Sequence, residues 1–487
     1  MYIYIGVVGR RRIGRVVART PAHRRACCMR VSRSDHFFWP TTRPETAGAS
    51  PRTEIWRFRE RKHELQSMTG CGMKIFISGT DSVFDEVMSQ TDDLTDPEVI
   101  DQPYEYFGRL RETEPVYKNE MWDGWIVTRY EDVRQCLQDD EHLSVQVEAD
   151  RLRDSSLDIP QTKEMFPKWI IYLDPPDHTK LRRIIGEAFN PEMVANQRAE
   201  VEEVTNSLIE EMEQQAPGEI EFIEQFAHQL PVHVICKIMG IPLEESDDLG
   251  KWSTDIGLTL FHYYNADNRH ERTEQSIREF TQYLQEVVKD RRENPQDDLI
   301  SYLNQAEADG EQLTEDEVVA TAVLLLFAGH ETTTKLLANG VLELQRHPEQ
   351  MQLLREDPSL APKAVEEILR YQGTSKSLTR GVVKDFELRG KQIEAGDRIL
   401  LSQAAANRDP RKFDDPDTFD ITRGSMEHLG FGHGTHHCLG APLARLEARV
   451  AFSQLVQAFP EMKLATDEIE WTRSPLVRGP EELPIQL

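Results

Sequence analysis

A glycine-rich loop that ends in a cysteine constrains this 487-residue chain more than any other feature. Residues 430–440 read Gly-Phe-Gly-His-Gly-Thr-His-His-Cys-Leu-Gly, and the three glycines in the first five positions permit a tight, unusual backbone turn. An amphipathic helix is predicted directly afterwards, over Ala441–Phe459. The loop therefore places Cys438 just before a helix N-terminus, whose partial positive charge stabilises a thiolate.

A stabilised, shielded thiolate on a rigid loop is what an axial ligand to iron requires. The alternative is a zinc site that uses nearby histidines together with the cysteine: His433, His436, His437 and Cys438. These spacings lack the two paired ligand sets that are usual in a closed tetrahedral zinc site, so the iron interpretation is favoured.

A long apolar helical run, from Val318 to Leu342, contains a second candidate site with the sequence Ala-Gly-His-Glu-Thr-Thr at 328–333. Its Gly329 costs the helix about 1 kcal/mol relative to alanine. The Thr332 hydroxyl can bond a carbonyl one turn back and bend the helix. Two small residues followed by an acid and an alcohol predict a groove with a proton relay beside it. An ordinary buried helix with an exposed Glu331 is the alternative.

A third feature is a charged pair, Glu367 and Arg370, at i and i+3 on one face of a predicted helix. Pairs of this kind usually contribute only tenths of a kcal/mol at a surface, so alone this one is a weak signal. The polar, proline-punctuated loop at 407–423 ends in a third charged residue, Arg423.

From Met88 onward the pattern predicts one domain, 88–487, that is mainly α with small β-sheets. Apolar residues at three- and four-residue spacing predict helices over Tyr104–Glu114, Val194–Gln215, Pro231–Met239 and Arg272–Glu293. Strands are predicted over Trp125–Thr128, Lys391–Ile393 and Arg398–Ser402. The most apolar window, Val318–Ala328, is well short of the ~20 residues of a membrane span, so none is expected.

The amino-terminal segment and the rest of the chain differ sharply in net charge. Residues 1–70 hold 15 Lys and Arg against 5 Asp and Glu, whereas residues 88–487 hold 41 against 77. So acidic a domain repels nucleic acids and anionic membranes, which excludes nucleic-acid binding as its expected function. The six scattered cysteines form no disulfide framework and no paired motif, which indicates a reducing compartment.

The first 87 residues differ from the rest in texture as well as charge. Arginine, proline and serine are scattered there without helical or strand period, which predicts a disordered basic extension. It is either a targeting peptide or basic docking arm, or the product of a start codon assigned too early. We favour the last interpretation, with the true start at Met68, Met73 or Met88.

Taken together, these elements resemble the cytochrome P-450 family of haem-thiolate monooxygenases, in its soluble prokaryotic form. The cysteine loop matches the family pattern Phe-Gly-x-Gly-x-His-x-Cys-x-Gly through Phe431, Gly432, Gly434, His436, Cys438 and Gly440. The oxygen-activation motif matches through Ala328, Gly329, Glu331 and Thr332, and the Glu-x-x-Arg motif through Glu367 and Arg370. The resemblance extends over essentially all of 88–487 and implies the P-450 fold, with haem between the oxygen-activation helix and the helix after the cysteine loop.

The resemblance also implies a role for individual residues. Cys438 corresponds to the axial thiolate of haem b, and it pushes electron density through the iron. The residues implied in cofactor binding are His178, Arg182, Ala328, Arg380, Phe431, His436, Cys438 and Gly440. Glu331 and Thr332 correspond to the acid–alcohol pair that delivers protons to dioxygen. Glu367, Arg370 and Arg423 correspond to a structural ion triad, and Leu324 and Phe327 are implied to line the substrate pocket.

Two positions depart from the family pattern near that pocket. Gly373 stands where proline is usual, so the loop after the Glu-x-x-Arg motif is expected to be looser. Lys376 lies in a segment, 374–378, that is normally an apolar wall. It can either pair with a substrate carboxylate or extend its ammonium group to solvent, and we favour the second interpretation.

The function implied is insertion of one atom of dioxygen into an apolar organic substrate, in the cytoplasm. Electrons are expected from a separate ferredoxin and its reductase, or from a flavodoxin, and Arg445 and Arg449 could form part of the docking face. Within the family, a peroxide-driven or isomerising variant is the alternative; from another class, a haem-based ligand sensor. Specificity is expected to lie in loops at 144–169 and 243–272.

Overall fold

The computed structural model describes residues 92–263, 268–308, 311–424 and 426–487, together with four short strands closer to the amino terminus. The chain divides into two compact units, Met1–Thr91 and Asp92–Leu487. In the first unit the strands β1 to β4 form one sheet in the order β3-β2-β1-β4; they are Tyr2–Gly6, Arg15–Arg19, Cys27–Arg30 and Phe76–Ser78. Most of the predicted basic extension, 1–87, lies outside the described residues.

Helices dominate the second unit. In chain order α1 to α8 are Pro97–Asp101, Pro103–Thr113, Tyr130–Leu137, Gln146–Asp154, Pro160–Met165, Asp177–Ala188, Pro191–Asn196 and Arg198–Glu213. The next five, α9 to α13, are Gln229–Met239, Ser246–Leu260, Arg269–Glu293, Leu299–Gln305 and Glu315–Arg346. The last four, α14 to α17, are Pro348–Glu356, Ala361–Tyr371, Gln403–Ala406 and Ala441–Ala458.

The strands of the second unit form small sheets. In chain order β5 to β16 are Val116–Asn119, Gly124–Val127, Leu143–Ser144, Glu219–Glu221, Glu307–Ala308, Glu311–Gln312, Ser377–Val382, Phe386–Leu388, Lys391–Ile393, Arg398–Ser402, Lys463–Leu464 and Pro484–Gln486. The largest sheet has five strands in the order β5-β6-β14-β11-β7. Strand β14 pairs parallel with β6 and antiparallel with β11, so segments far apart in the sequence meet there.

Helix α13 is the longest described helix of the second unit. A capping box starts it: the Thr314 side chain accepts a bond from the Glu317 backbone, and the Glu317 side chain binds Thr314 in return. Its apolar side chains are buried in the largest hydrophobic core, and it packs against α9, α10, α11 and α17. Within the described residues, no helix combines the length and the apolar character that crossing a bilayer needs.

The mainly helical fold with small sheets is confirmed, and most predicted elements are observed. The strands over Lys391–Ile393 and Arg398–Ser402 have the predicted bounds, and the first predicted strand begins one residue early. The helix predicted over Val194–Gln215 is wrong as a single element, because the chain turns at Gln197 between α7 and α8. The amphipathic period continues across this turn, so the apolar pattern alone did not reveal it.

Candidate active site

The cysteine loop folds as a turn that only glycine fits at two positions. Gly432 and Gly434 adopt φ of +72° and +71°, in the left-handed region. At Gly434 a Cβ atom would also lie 2.5 Å from the carbonyl oxygen of Leu137. The turn closes when the Cys438 N–H donates to the carbonyl of Phe431 at 2.9 Å. The loop therefore fixes the backbone of Cys438 immediately before α17.

Two opposing effects act on the Cys438 thiol. Burial raises its pKa, while the backbone N–H groups of Gly440 and Ala441 and the positive charge of Arg182 act to lower it. Burial is the larger effect, so the helix N-terminus alone does not make this group a thiolate. The residue is nevertheless accessible by surface area. A side chain that is both accessible and densely surrounded lies at the floor of a recess.

Four cationic or imidazole side chains gather beside this recess: His178, Arg182, Arg380 and His436. The rings of His178 and His436 are 4.3 Å apart, and Arg380 and Arg182 both depress the pKa of His436, which burial lowers to about 3. Arg380 is 7% exposed, and burial lowers its pKa to about 10.

No ion pair neutralises these four groups within the described residues, and the buried Nδ1 of His178 has no hydrogen-bond partner. Arg380 is thus a buried cation that only Asp174 and Asp140, neither of them in an ion pair with it, partly offset, and such a charge is costly unless a ligand compensates it. A planar group with two carboxylates, such as haem with its propionates, fits this arrangement, and it fits the neighbouring thiol as well.

The motif at 328–333 lies in the middle of α13 with its helix intact. As predicted, the Thr332 hydroxyl donates to the carbonyl of Ala328, at 2.9 Å. A Cβ atom on Gly329 would make only ordinary contacts with Ile235, at 3.5 Å, so crowding by another helix does not require glycine here. The Thr332 oxygen keeps its lone pairs free to accept a further hydrogen bond.

Glu331 is not exposed, contrary to the alternative considered from the sequence. It is 4% exposed, and Oε1 accepts hydrogen bonds from the Lys335 ammonium group and, at 3.2 Å, from the Tyr263 hydroxyl. The Lys335 ammonium also lies 5.8 Å from the centre of the Tyr263 ring. The Coulombic attraction of Glu331 raises the pKa of Lys335 despite burial. The carboxylate is thus held in a closed ion pair.

The predicted pocket residues Leu324 and Phe327 are buried, at 2% and 1% exposure. The Phe327 ring stacks on the Trp169 ring with their centres 6.0 Å apart, and its centre lies 5.5 Å from that of the Phe261 ring. Because Trp169 precedes α6 and Phe261 follows α10, this aromatic group joins three separate parts of the chain. Both partners lie in the segments 144–169 and 243–272, where substrate specificity was expected.

Lys376 does not extend to solvent, so the favoured interpretation is wrong for this residue. It is 2% exposed, and its backbone is fixed through bonds with Leu476 and Ala404. Burial lowers its pKa well below the usual value, and Arg478 adds to the effect. Among the described residues its ammonium group forms no ion pair.

The three residues of the predicted ion triad come together. Arg370 makes two bonds of 2.8 Å to the two carboxylate oxygens of Glu367, and Arg423 lies 3.4 Å from the same group. Glu367 and Arg370 are 0% and 1% exposed. Arg370 also donates to backbone carbonyls of Asn407, Pro416 and Thr418, which ties α15 to the loop before the cysteine. Because the Glu367–Arg370 pair is buried and connects two segments, losing either residue would be costly, although such a pair contributes little at a surface.

The zinc alternative receives no support. Within the described part of the chain, no three His, Cys, Asp or Glu side chains converge as metal ligands.

Of the two arginines considered for docking, Arg445 is already engaged: it makes bonds of 2.7 and 2.9 Å to Glu366, and its guanidinium lies 4.5 Å from the Phe431 ring centre. Arg449 is half-buried.

Glu447 on α17 is a buried acid that the sequence analysis missed. It is 2% exposed, its Oε2 has no partner, and burial raises its pKa to about 8. Its place in the apolar face of an amphipathic helix could have indicated it. The structure thus contains a carboxyl group that is largely protonated at neutral pH.

Replacing Glu447 by glutamine should flatten the dependence of stability on pH. A carboxyl whose folded pKa lies above its unfolded value contributes stability below the unfolded pKa, near 4.5, and loses it as pH rises through about 8. Each pKa unit corresponds to about 1.4 kcal/mol, so a loss of a few kcal/mol is expected in the native protein by pH 9. Melting temperatures of Glu447→Gln and the native protein between pH 6 and 9 test this. The exposed Glu461→Gln is the control, and parallel curves for Glu447→Gln and the native chain would contradict the expectation.

These observations define a class of protein. A long buried helix with an acid–alcohol pair, a cysteine presented by a glycine turn, and two arginines with two histidines beside the thiol are the arrangement of a haem-thiolate enzyme. Comparison with known proteins identifies the family. Residues 101–483 match the family described as Cytochrome P450. The chain belongs to the cytochrome P450 family, which uses haem, and it is a monooxygenase of that family.

Individual relatives cover the domain almost completely. The polyketide biosynthesis cytochrome P450 PksS of Bacillus subtilis (strain 168) is 36% identical over 395 residues, 79% of this chain and 96% of the relative. The mycinamicin IV hydroxylase/epoxidase of Micromonospora griseorubida is 39% identical over 388 residues, 78% and 94% of the two chains. The structure of P450BioI in complex with hexadec-9Z-enoic acid ligated acyl carrier protein superposes with a TM-score of 0.74 at 34% identity, over 80% of this chain and 99% of that one.

Proposed function

We propose that Cys438 would hold the iron of a haem b group and that His178, Arg182, Arg380 and His436 would bind its propionates. The observation that carries this assignment is the group of two arginines and two histidines beside an accessible thiol, in which the buried Arg380 forms no ion pair among the described residues. Ala328, Phe431 and Gly440 would contact the same group. When bound, the haem supplies the iron at which dioxygen is activated.

The protein's own residues then have separate tasks. The Thr332 hydroxyl, whose proton is directed to Ala328, would be free to accept a hydrogen bond from a molecule bound beside α13. Glu331 supplies protons, which requires its carboxylate to leave the ion pair with Lys335. Leu324 and Phe327 exclude water from the substrate, which favours an apolar organic molecule. Glu367, Arg370 and Arg423 hold the loop that carries the cysteine.

The proposed reaction is monooxygenation with electrons from a separate ferredoxin or flavodoxin, in the cytoplasm. The acid–alcohol pair supports it over a peroxide-driven or isomerising reaction, because only dioxygen cleavage needs two delivered protons. The test is turnover of the haem-loaded chain with ferredoxin, reductase and NAD(P)H under ¹⁸O₂. One ¹⁸O atom in the product is expected. Product formed equally well from hydrogen peroxide without dioxygen would favour the peroxide-driven alternative, and ligand binding without turnover would favour a sensor.

We also propose that the domain begins at Met88 and that residues 1–87 take no part in catalysis. A chain that starts at Met88 should bind haem and turn over at the rate of the full chain, because every residue of the candidate site lies after it. Haem content and turnover of the two chains test this. A truncated chain that folds but loses haem would show that the extension contributes to the site.

Lys376 is proposed to bind an acidic group of the substrate, because its buried amine forms no ion pair within the described residues and an acid bound beside it would restore its charge. Hexadec-9Z-enoic acid should then bind at least about 30-fold more weakly to Lys376→Met, since breaking a buried charge pair costs about 2–5 kcal/mol and each 1.4 kcal/mol is about tenfold in affinity. The methyl ester of the same acid should bind both proteins equally. Spectral titrations with the acid and the ester measure this. Equal weakening of acid and ester would show that the substitution only disturbs packing.

A further inference from the structure

Within the described ranges, neighbouring side chains close Glu331 off from solvent. Its carboxylate is 4% exposed, and on Oε1 it is covered by Tyr263 and Lys335, which are each 8% exposed. A group that must release protons repeatedly has to be reprotonated from outside. If Glu331 has the role proposed above, protons must reach it by another path.

A pair of histidines lies behind the same helix. His330 directly precedes Glu331 on α13 and is 1% exposed, whereas His228, just before α9, is half-buried. The Nε2 atom of His330 and the Nδ1 atom of His228 are 3.0 Å apart, and the two rings meet edge to face with centres 4.3 Å apart. One nitrogen therefore donates its proton to the other.

Glycine on a neighbouring helix makes room for this pair. At Gly250, on α10, a Cβ atom would lie 2.6 Å from Nε2 of His228. Any larger residue would displace the imidazole. The outer nitrogen of His228 is thus held against α10, close to the start of that helix and its acidic residue Asp247.

The charges around the pair favour proton uptake at its outer end. Burial lowers the pKa of His228, but Glu331, Asp247 and Glu224 act to raise it, and Lys335 acts to lower it. For His330, burial, His228 and Lys335 all act to lower the pKa, well below the usual value. Both pKa values are lowered, but only for His228 do carboxylates oppose the effect of burial, so a proton that enters the pair is held more readily by His228 than by His330. The inner nitrogen, Nδ1 of His330, is buried without a hydrogen-bond partner, so it is available to a bridging water.

We propose that His228 and His330 form a proton path from the surface, between α9 and α10, to Glu331. Imidazole suits this task because one ring nitrogen can accept a proton while the other gives one up. The path approaches Glu331 from the His330 side of α13, whereas the bonds from Tyr263 and Lys335 are both made to Oε1. The two histidines are positioning and relay groups that act through Glu331.

The test replaces each histidine by phenylalanine in the haem-loaded full chain, which keeps a ring in the same space. Turnover should fall about tenfold in either variant. This loss is smaller than the roughly 10²–10⁴-fold that general acid catalysis contributes. The H₂O/D₂O rate ratio should increase, while haem content and substrate binding stay unchanged. The double variant should be no slower than the slower single variant, because both residues serve one path. His233→Phe, another histidine of α9 that does not contact the pair, is the matched control and should leave the rate ratio unchanged.

A readout without turnover separates this inference from the proposed function. In the diamagnetic ferrous carbon-monoxide form, histidine NMR should show the pKa of His228 falling in Glu331→Gln, because the lost carboxylate no longer raises it. If the phenylalanine variants lower the melting temperature but keep the native H₂O/D₂O rate ratio, the proton path is overturned. The two histidines would then have only a structural role. A His228 titration that is indifferent to Glu331→Gln would overturn it too, even if the chain shows no dioxygen-dependent turnover.

Discussion

Cys438→Ser should abolish the strongly red-shifted Soret band that the ferrous carbon-monoxide complex of the native protein is expected to show. That band reports a thiolate ligand, and a serine hydroxyl at the same position cannot supply one. The backbone bonds that hold residue 438 involve main-chain atoms, so the loop should keep its shape in the variant. We expect loss of the band and of monooxygenation to be complete, as measured by the difference spectrum and by product formation.

The matched control for this substitution is Cys236→Ser. Cys236 is a fully buried free thiol on α9, far from the loop, and burial raises its pKa to about 12. Its replacement should leave the carbon-monoxide spectrum unchanged. A native protein that is loaded with haem but shows the spectrum of an imidazole ligand would contradict the assignment of Cys438 and point instead to one of the neighbouring histidines.

Local chemistry explains which parts of the site were predictable. The glycines at 432 and 434 are required by φ angles that other residues rarely adopt, so the turn is readable from its composition. The Thr332 bond to Ala328 is a contact within one helix and follows from spacing alone. The strands over 391–393 and 398–402 are fixed by a local turn at Gly396, where φ is +98°.

What the sequence did not reveal depends on contacts between distant segments. Tyr263 binds Glu331 across 68 residues, and His228 binds His330 across 102. Nothing in the spacing of either pair marks them as partners. The segments 144–169 and 243–272 were expected to be loops, yet they contain α4, α5 and α10. The short helix α5 is stabilised from outside: Glu274 of α11 accepts bonds from backbone N–H groups at its start.

The interpretation of two charged residues, Lys376 and Glu331, also changed because contacts between distant segments bury them. Lys376 is surrounded by polar and charged positions in the sequence, so extension to solvent was the natural expectation. Its burial results from β11, β14 and the segment at 476–478, which meet only in the fold. Glu331 was expected either to deliver protons to dioxygen or to be exposed on an ordinary helix. The ion pair with Lys335 and the bond from the Tyr263 hydroxyl cover its carboxylate instead, which is the reason for proposing a separate path for protons.

Thr332→Ala should uncouple the reaction. Cleavage of dioxygen consumes two protons, and the Thr332 hydroxyl is free to accept a hydrogen bond because its own proton is donated to Ala328. Without this hydroxyl, control over proton delivery would be lost, and more of the reducing equivalents would end as hydrogen peroxide. General acid–base assistance is typically worth about 10²–10⁴-fold, so a fall of about tenfold in product formed per NAD(P)H consumed is expected even with partial compensation. Haem content and substrate affinity should not change.

The chain provides a close control for this substitution. Thr334 makes the same kind of bond, from its hydroxyl to the carbonyl of His330 at 3.1 Å, but it lies two residues further along α13 and so faces another direction. Thr334→Ala removes the same atoms from the same helix, so any change in helix bending should be shared by the two variants. Peroxide measured alongside product should therefore rise only in Thr332→Ala. An equal effect in both variants would assign the change to the helix, and an unchanged ratio in Thr332→Ala would refute the role of the hydroxyl.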